Sequence, residues 1–248
     1  MKKVCIVGSS GYIGSKLSLE LKKNFKVITV SRNKIIEKKL IKGVFKNIAG
    51  NIKSKKVIKK IVSLKPEYII FASSFNHFKS EKNFKLTVNN NNNPLLNLCE
   101  EIAVNKNFKK IIYISSFQVY GNYQEHTIID ENTPKDAKNY YGLSHSINED
   151  LLKIAKIKFG INSDIIRLTN SYGYPTLLSN DCWWLVVNDL CKSFAEYKKI
   201  VLSSDGKSFR NFIHLDDVTK FIKILLDKKK LSSEIYNLSS SETVQIKK

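Results

Sequence analysis

Cysteine is scarce in this chain, and the few present lie far apart. Cys5, Cys99, Cys182 and Cys191 are the only four in 248 residues, and none forms a Cys-x-x-Cys pair. That spacing suggests neither a zinc site nor a disulfide framework, so no metal is expected and the thiols read as buried and free. Long apolar runs are also missing. The first, Val4 to Val7, is too short for a signal peptide or a membrane span, and no later segment is long enough. A soluble cytoplasmic protein with no membrane partner is expected. Acidic residues are few, 22 Asp+Glu against 42 Lys+Arg, for a formal net charge of +20. Such a surplus suits nucleic acid, an anionic membrane surface or a phosphorylated small substrate. The lysines are dispersed, however, in runs such as Lys22-Lys23, Lys55-Lys56, Lys59-Lys60 and Lys109-Lys110. No basic stripe interleaved with aromatics emerges, so they read as solvated surface and nucleic acid is not an expected partner. There are no internal repeats.

Short runs rich in β-branched residues alternate with helix-length segments. Strands are predicted at Val4 to Val7, Lys26 to Val30, Val44 to Ile48, Tyr68 to Ala72, Ile111 to Ser115 and Asp164 to Leu168. Their near-continuous hydrophobicity is that of strands covered on both faces. Helices are predicted at Gly11 to Lys23, Ser54 to Leu64, Phe84 to Val104 and Tyr141 to Phe159, with Gly160 placed to end the last. The five-asparagine run Asn89 to Asn93 before Pro94 sits between periodic segments, which argues for a helix start or kink. After Asn170 the pattern breaks. An aromatic helix around Trp183 to Tyr197 follows, its Trp183, Val187, Leu190 and Phe194 at helical spacing and read as core. A short strand near Ile200-Val201 and a last helix from Leu215 to Leu226 complete the pattern. The expected fold class is α/β, a Rossmann-type doubly wound parallel sheet over residues 1–169 with a small substrate lobe over 170–248.

Three strings carry chemistry: Gly8-Ser9-Ser10-Gly11-Tyr12-Ile13-Gly14, Ser115-Ser116-Phe117-Gln118-Val119-Tyr120-Gly121, and Tyr140-Tyr141-Gly142-Leu143-Ser144-His145. The first joins a strand to a helix, where Gly8 ends the strand, Gly11 admits a pyrophosphate and Gly14 lets the helix pack close. Together the strings resemble the extended short-chain dehydrogenase/reductase family, the NAD(P)-dependent epimerases and dehydratases of nucleotide sugars. The resemblance implies a dinucleotide held by Gly8, Ser10, Gly11, Tyr12, Ile13 and Gly14. At the end of the second strand an NAD enzyme carries an acid for the ribose hydroxyls. Here Ser31-Arg32 stands there. Ser31 could donate to a 2′-phosphate and Arg32 could clamp it, which favours NADP, with NAD the alternative. Gly50-Asn51-Ile52 falls where the family has Gly-Asp-Ile, placing Asn51 and Ile52 by the adenine.

Aligned on Val119-Tyr120-Gly121, Ser116 takes the family's catalytic Ser/Thr position and Tyr141 that of the catalytic Tyr. Where the family has Lys, one helical turn after the Tyr, this chain has His145. Its imidazole can still donate to a ribose hydroxyl, but a neutral ring lowers the tyrosine pKa less than an ammonium. Three outcomes stay open: an adapted enzyme, a slow or altered one, or a cofactor-binding protein without turnover. Phe117-Gln118 replaces the Asp-Glu pair of the family's 4,6-dehydratases, so dehydration is disfavoured and 4-epimerisation, ketoreduction or oxidation remain.

Arg167-Leu168-Thr169-Asn170-Ser171-Tyr172-Gly173 and the stretch Asp205 to Val218 resemble the family's diphosphate-binding segments, assigning Asn170 and Arg210 to the substrate. Asn211 replaces the usual Asp. Asn90 is aligned with a substrate-side Asn, while His77 and His214 read as structural. The stretch between Asn170 and Arg210 is short for the family, and relatives continue beyond the last residue. The resemblance thus implies an NADP-dependent epimerase or 4-keto reductase of a nucleotide sugar, for surface polysaccharide synthesis, acting as a homodimer. The alternative is a non-catalytic NADP-binding regulatory or assembly protein of the same fold.

Overall fold

Alternate residues of the first strand face opposite ways, Val4 and Ile6 into one layer and Cys5 and Val7 into the other, and all four are buried. That two-residue period, repeated in each neighbouring strand, demands apolar helices on both sides. In the computed structural model, described for residues 1–33, 37–122, 127–200, 202, 204–228 and 232–247, helices cover both faces. The amino-terminal half runs β1 (Lys3–Val7), α1 (Tyr12–Leu21), β2 (Lys26–Ser31), α2 (Lys38–Ile41), β3 (Lys46–Ala49), α3 (Lys55–Ser63) and β4 (Tyr68–Phe71). It continues through α4 (His77–Lys82), α5 (Phe84–Asn91), α6 (Asn93–Ile102) and β5 (Lys110–Ser116). The rest is α7 (Tyr140–Phe159), β6 (Asn162–Leu168), β7 (Asn170–Tyr172), α8 (Val186–Tyr197), β8 (Phe209–His214), α9 (Leu215–Asp227), β9 (Glu234–Leu238) and β10 (Thr243–Gln245).

Seven strands form one parallel sheet in the order β3-β2-β1-β4-β5-β6-β9. The chain reverses its direction of build between β1 and β4, the switch point at which open α/β sheets bind ligands beyond the strands' carboxyl ends. One core layer packs Ile58 and Ile61 of α3, Leu95 and Leu98 of α6 and Leu152 of α7 against the sheet. The other packs Leu17 and Leu21 of α1 with Val218, Ile222 and Leu225 of α9. A second sheet, β10-β8-β7, stands at the carboxyl-terminal edge.

The six strands predicted between Val4 and Leu168 are present, the third shifted to Lys46–Ala49. The kink expected at the asparagine run is a break between α5 and α6 at Asn92. Gly160 ends α7 in the left-handed region at φ +68°. Two expectations fail. Cys191 is exposed, unlike the other three thiols. The stripe on α8 is not core: its only buried residue is Asn188, and Phe194 is 53% exposed. Of the short strand near Ile200-Val201, Val201 lies outside the described residues.

Candidate active site

A cleft of about 1940 Å³ opens over the switch point. That exceeds the roughly 300–1,000 Å³ of a site for one small ligand, so two ligands can lie side by side. Its floor begins at the glycine turn. Gly8 has φ +87°, and a Cβ on Gly14 would fall 2.1 Å from the Gly8 carbonyl oxygen, so only glycine lets α1 start so close to the turn. Ser10, Gly11, Tyr12 and Ile13 line the cleft above it. The first turn of α1 has no acidic residue and no side-chain cap, which leaves its amides directed at the cleft. The glycine cradle fits a dinucleotide pyrophosphate.

The rim beyond β2 departs from expectation at one residue. Arg32 is exposed and lines the cleft, but Ser31 is buried and its hydroxyl donates to the Asn33 carbonyl at 2.7 Å. Its single proton is spent. Asn51 is exposed and accepts from the Lys53 amide at 3.0 Å, and the Ile52 side chain packs in the core; neither side chain lines the cleft.

Ser116 ends β5, and Tyr141 opens α7. What brings them together is Gly142, where a Cβ would lie 2.4 Å from the Gln118 carbonyl oxygen. The helix can therefore start against the turn Phe117–Tyr120 that follows Ser116. Asn139 caps it, accepting from the Gly142 amide at 2.7 Å. The hydroxyls of Ser116 and Ser74 lie close to the Tyr141 phenol, where they favour its ionised form. Burial pushes that phenol above its ordinary pKa, and the two hydroxyls pull it only part of the way back.

His145 lies beside Tyr141, ring centroids 4.6 Å apart, and is 3% exposed. Desolvation lowers its pKa to about 3, so the ring is neutral near pH 7. Its Nδ1 meets the Tyr113 hydroxyl at 2.6 Å, while its buried Nε2 has no hydrogen-bond partner among the described residues. His77, expected to be structural, also lines the cleft and presents its ring to Tyr141. Glu149, farther along α7, is tied to Arg167 of β6 at 2.8 Å and accepts from Ser115, which fixes the helix to the sheet beneath.

Asn170 and Arg210 line the opposite wall; both are exposed, and the Asn170 amide donates to the Asn211 carbonyl at 3.0 Å. Asn211 itself binds the Ser240 and Glu242 carbonyls, tying β8 to the turn before β10. Asn90 does not line the cleft: its amide returns to the Leu86 carbonyl of its own helix. Its neighbour Asn91 is the buried one, accepting from the Phe75 amide at 2.8 Å. No sequence motif marks Ser74, Tyr113, Asn148 or Asn180. Trp184 lines the cleft and meets Phe78 edge-on at 5.3 Å, above a Lys79–Asp181 ion pair.

The profile of the NAD dependent epimerase/dehydratase family matches residues 4–239. The chain is 26% identical over 268 residues to a dTDP-D-glucose 4,6-dehydratase of Dictyostelium discoideum, an alignment covering 97% of the chain and 58% of that protein. It is 34% identical over 90 residues to a uronate dehydrogenase of Pseudomonas putida, over 36% of the chain and 34% of that protein. The chain thus spans under two thirds of both. Among solved structures, UDP-glucuronic acid 4-epimerase from Bacillus cereus, in complex with UDP-glucuronic acid and NAD, superposes with a TM-score of 0.85 at 23% identity. That fit covers 98% of this chain and 79% of the other.

Proposed function

Because the chain belongs to the NAD dependent epimerase/dehydratase family, we propose that it is an NADP-dependent epimerase or 4-keto reductase of a nucleotide-activated sugar. The observation that carries this reading is the convergence of the Ser116 and Tyr141 hydroxyls in a cleft with room for two ligands. A hydroxyl pair of this kind can hold a sugar oxygen and move its proton at Tyr141 Oη. Gly11, Tyr12 and Ile13 would seat the pyrophosphate and Arg32 the 2′-phosphate; when bound, the nicotinamide takes and returns hydride. Asn170 and Arg210 would hold the diphosphate of the sugar nucleotide.

Water elimination needs an acid and a base beside the sugar. Among the described residues the cleft's carboxylates are Glu37, on the Arg32 rim, and Asp181, paired with Lys79. Gln118 fills the place of one dehydratase acid and accepts from the Asn139 amide at 3.0 Å. This supports epimerisation or reduction over dehydration. Leu86, Leu96, Leu143 and Ile154 on α5, α6 and α7 are exposed and apolar, which supports a homodimer built on those helices. A cytoplasmic role in surface polysaccharide synthesis accords with such chemistry.

One observation favours a non-catalytic rival: the residue one turn from Tyr141 is a buried neutral imidazole rather than a cation. Incubation with NADP(H) or NAD(H) and a panel of nucleotide sugars separates the two. Turnover that Tyr141→Phe abolishes while dinucleotide binding persists is expected. Dinucleotide binding with no turnover of any sugar hands the protein to the rival reading.

A further inference from the structure

The asparagine run and α7 share a buried hydrogen-bond chain whose direction can be worked out atom by atom. The Asn148 amide nitrogen lies 2.9 Å from the Asn91 carbonyl, which can only accept, so that atom is Nδ2. The Asn92 nitrogen is fixed in the same way by the Ser144 carbonyl at 2.7 Å, and it donates to Asn148 Oδ1 at 2.8 Å. Both amides therefore have one orientation. Asn148 Nδ2 also donates to the Tyr113 hydroxyl at 2.9 Å. That hydroxyl has one proton, and its other neighbour is His145 Nδ1 at 2.6 Å. Tyr113 donates to it, so Nδ1 is an acceptor and the ring proton sits on Nε2.

Nε2 is buried without an acceptor among the described residues, and His145 is part of the cleft wall. A buried donor with nothing to donate to destabilises a protein, unless a ligand supplies the acceptor. We propose that Asn148 and Tyr113 are positioning residues that lock His145 as an Nε2–H donor to a hydroxyl of the ligand seated beside Tyr141. This rests on the reading of the cleft as a dinucleotide and sugar site. It also gives Asn92 of the asparagine run a purpose: its side chain, held by the Ser144 carbonyl, orients Asn148 and sets the direction of the bonds.

With only four histidines, the imidazole nitrogens of the ¹⁵N-labelled protein can be assigned by comparison with His145→Gln. The free native protein should show His145 Nδ1 unprotonated and Nε2 protonated near pH 7. Saturating NADPH should shift that Nε2–H resonance. In Tyr113→Phe the ring should become a mixture of tautomers and NADPH should bind about five- to tenfold more weakly; Asn148→Ala provides the same reading should the first variant fail to fold. A merely structural Tyr113 would alter melting but leave the tautomer alone. A protonated Nδ1 in the native protein, or an unchanged ring in both variants, overturns the lock. An Nε2–H resonance unmoved by bound NADPH overturns the donation. Absence of any dinucleotide binding overturns the proposed function together with the donation, while the spectrum of the free protein still judges the lock.

Discussion

The rings of Tyr141 and His145 meet edge to face, their planes at 71° and their centroids 4.6 Å apart. The pair sits one helical turn apart on α7, and it brings no charge to the phenol, since the imidazole is neutral near pH 7. The phenol is also raised by burial. Turnover that needs the tyrosinate should therefore climb toward alkaline pH. His145→Lys places a cation beside Tyr141, which favours the ionised phenol and should move the rise to lower pH. The check is kcat/KM against pH for both proteins on one accepted nucleotide sugar; superimposable profiles would count against it.

The same imidazole makes stability depend on acid. Its pKa falls from an ordinary 6.5 in the unfolded chain to about 3 in the folded one. Between those values the unfolded state binds the extra proton, so stability is full above pH 6.5 and declines as pH drops. The slope from this one group approaches about 1.4 kcal/mol per pH unit. Urea melts of native protein and His145→Gln between pH 7 and 5 should diverge, the native protein losing more. Parallel losses would show that the ring titrates freely.

In the proposed reading Arg32, rather than Ser31, meets the 2′-phosphate, because the Ser31 hydroxyl is committed to the Asn33 carbonyl. NADPH should bind more tightly than NADH. Arg32→Ala should erase about tenfold of that preference, near the 1.4 kcal/mol of one exposed charge-assisted contact. Ser31→Ala should leave it unchanged. Fluorescence titration of both cofactors decides, and a loss caused by Ser31→Ala rather than Arg32→Ala would refute the assignment.

Lys110 and Asp164, neighbours across β5 and β6, are 1% and 0% exposed and joined at 2.8 and 2.9 Å. Removing one partner strands a buried charge. Lys110→Met should cost about 3–5 kcal/mol in chemical denaturation, whereas Lys110→Met with Asp164→Leu should recover most of the loss. A double variant as unstable as the single would mean that packing, not charge, holds the site.

Much of this architecture was legible because a sheet covered on both faces writes itself as β-branched runs, and because glycines at close approaches cannot be exchanged. The six runs became β1 to β6, and the pairing of Ser116 with Tyr141 followed from motifs on a strand end and a helix start. Other features left little trace. Strand β9 is only half-buried along its length, and α4 is a six-residue polar segment held by an Asn76 cap and by Asp181 more than 100 residues away. The α8 stripe has helical spacing but no opposing surface to bury it, so periodicity misled. The Asn148 side chain donates to the main-chain carbonyl of Asn91 across 57 residues; a polar contact of this kind has no sequence period, and only the fold reveals it.

The loop after β7 reaches back to the glycine turn. Asn180 donates to the Ser10 carbonyl at 2.7 Å and accepts from Ser15 at 3.1 Å, and Leu177 donates to it from the same loop. Trp184, four residues on, also lines the cleft. On the proposed two-ligand reading this loop borders both the glycine turn and the rest of the cleft, and the two ligands are expected to bind cooperatively. Reciprocity then requires that whatever factor a dinucleotide adds to sugar-nucleotide affinity, the sugar nucleotide returns to the dinucleotide. Asn180→Ala should bring that factor toward one in paired calorimetric titrations, and the protein would then release its two ligands independently of one another.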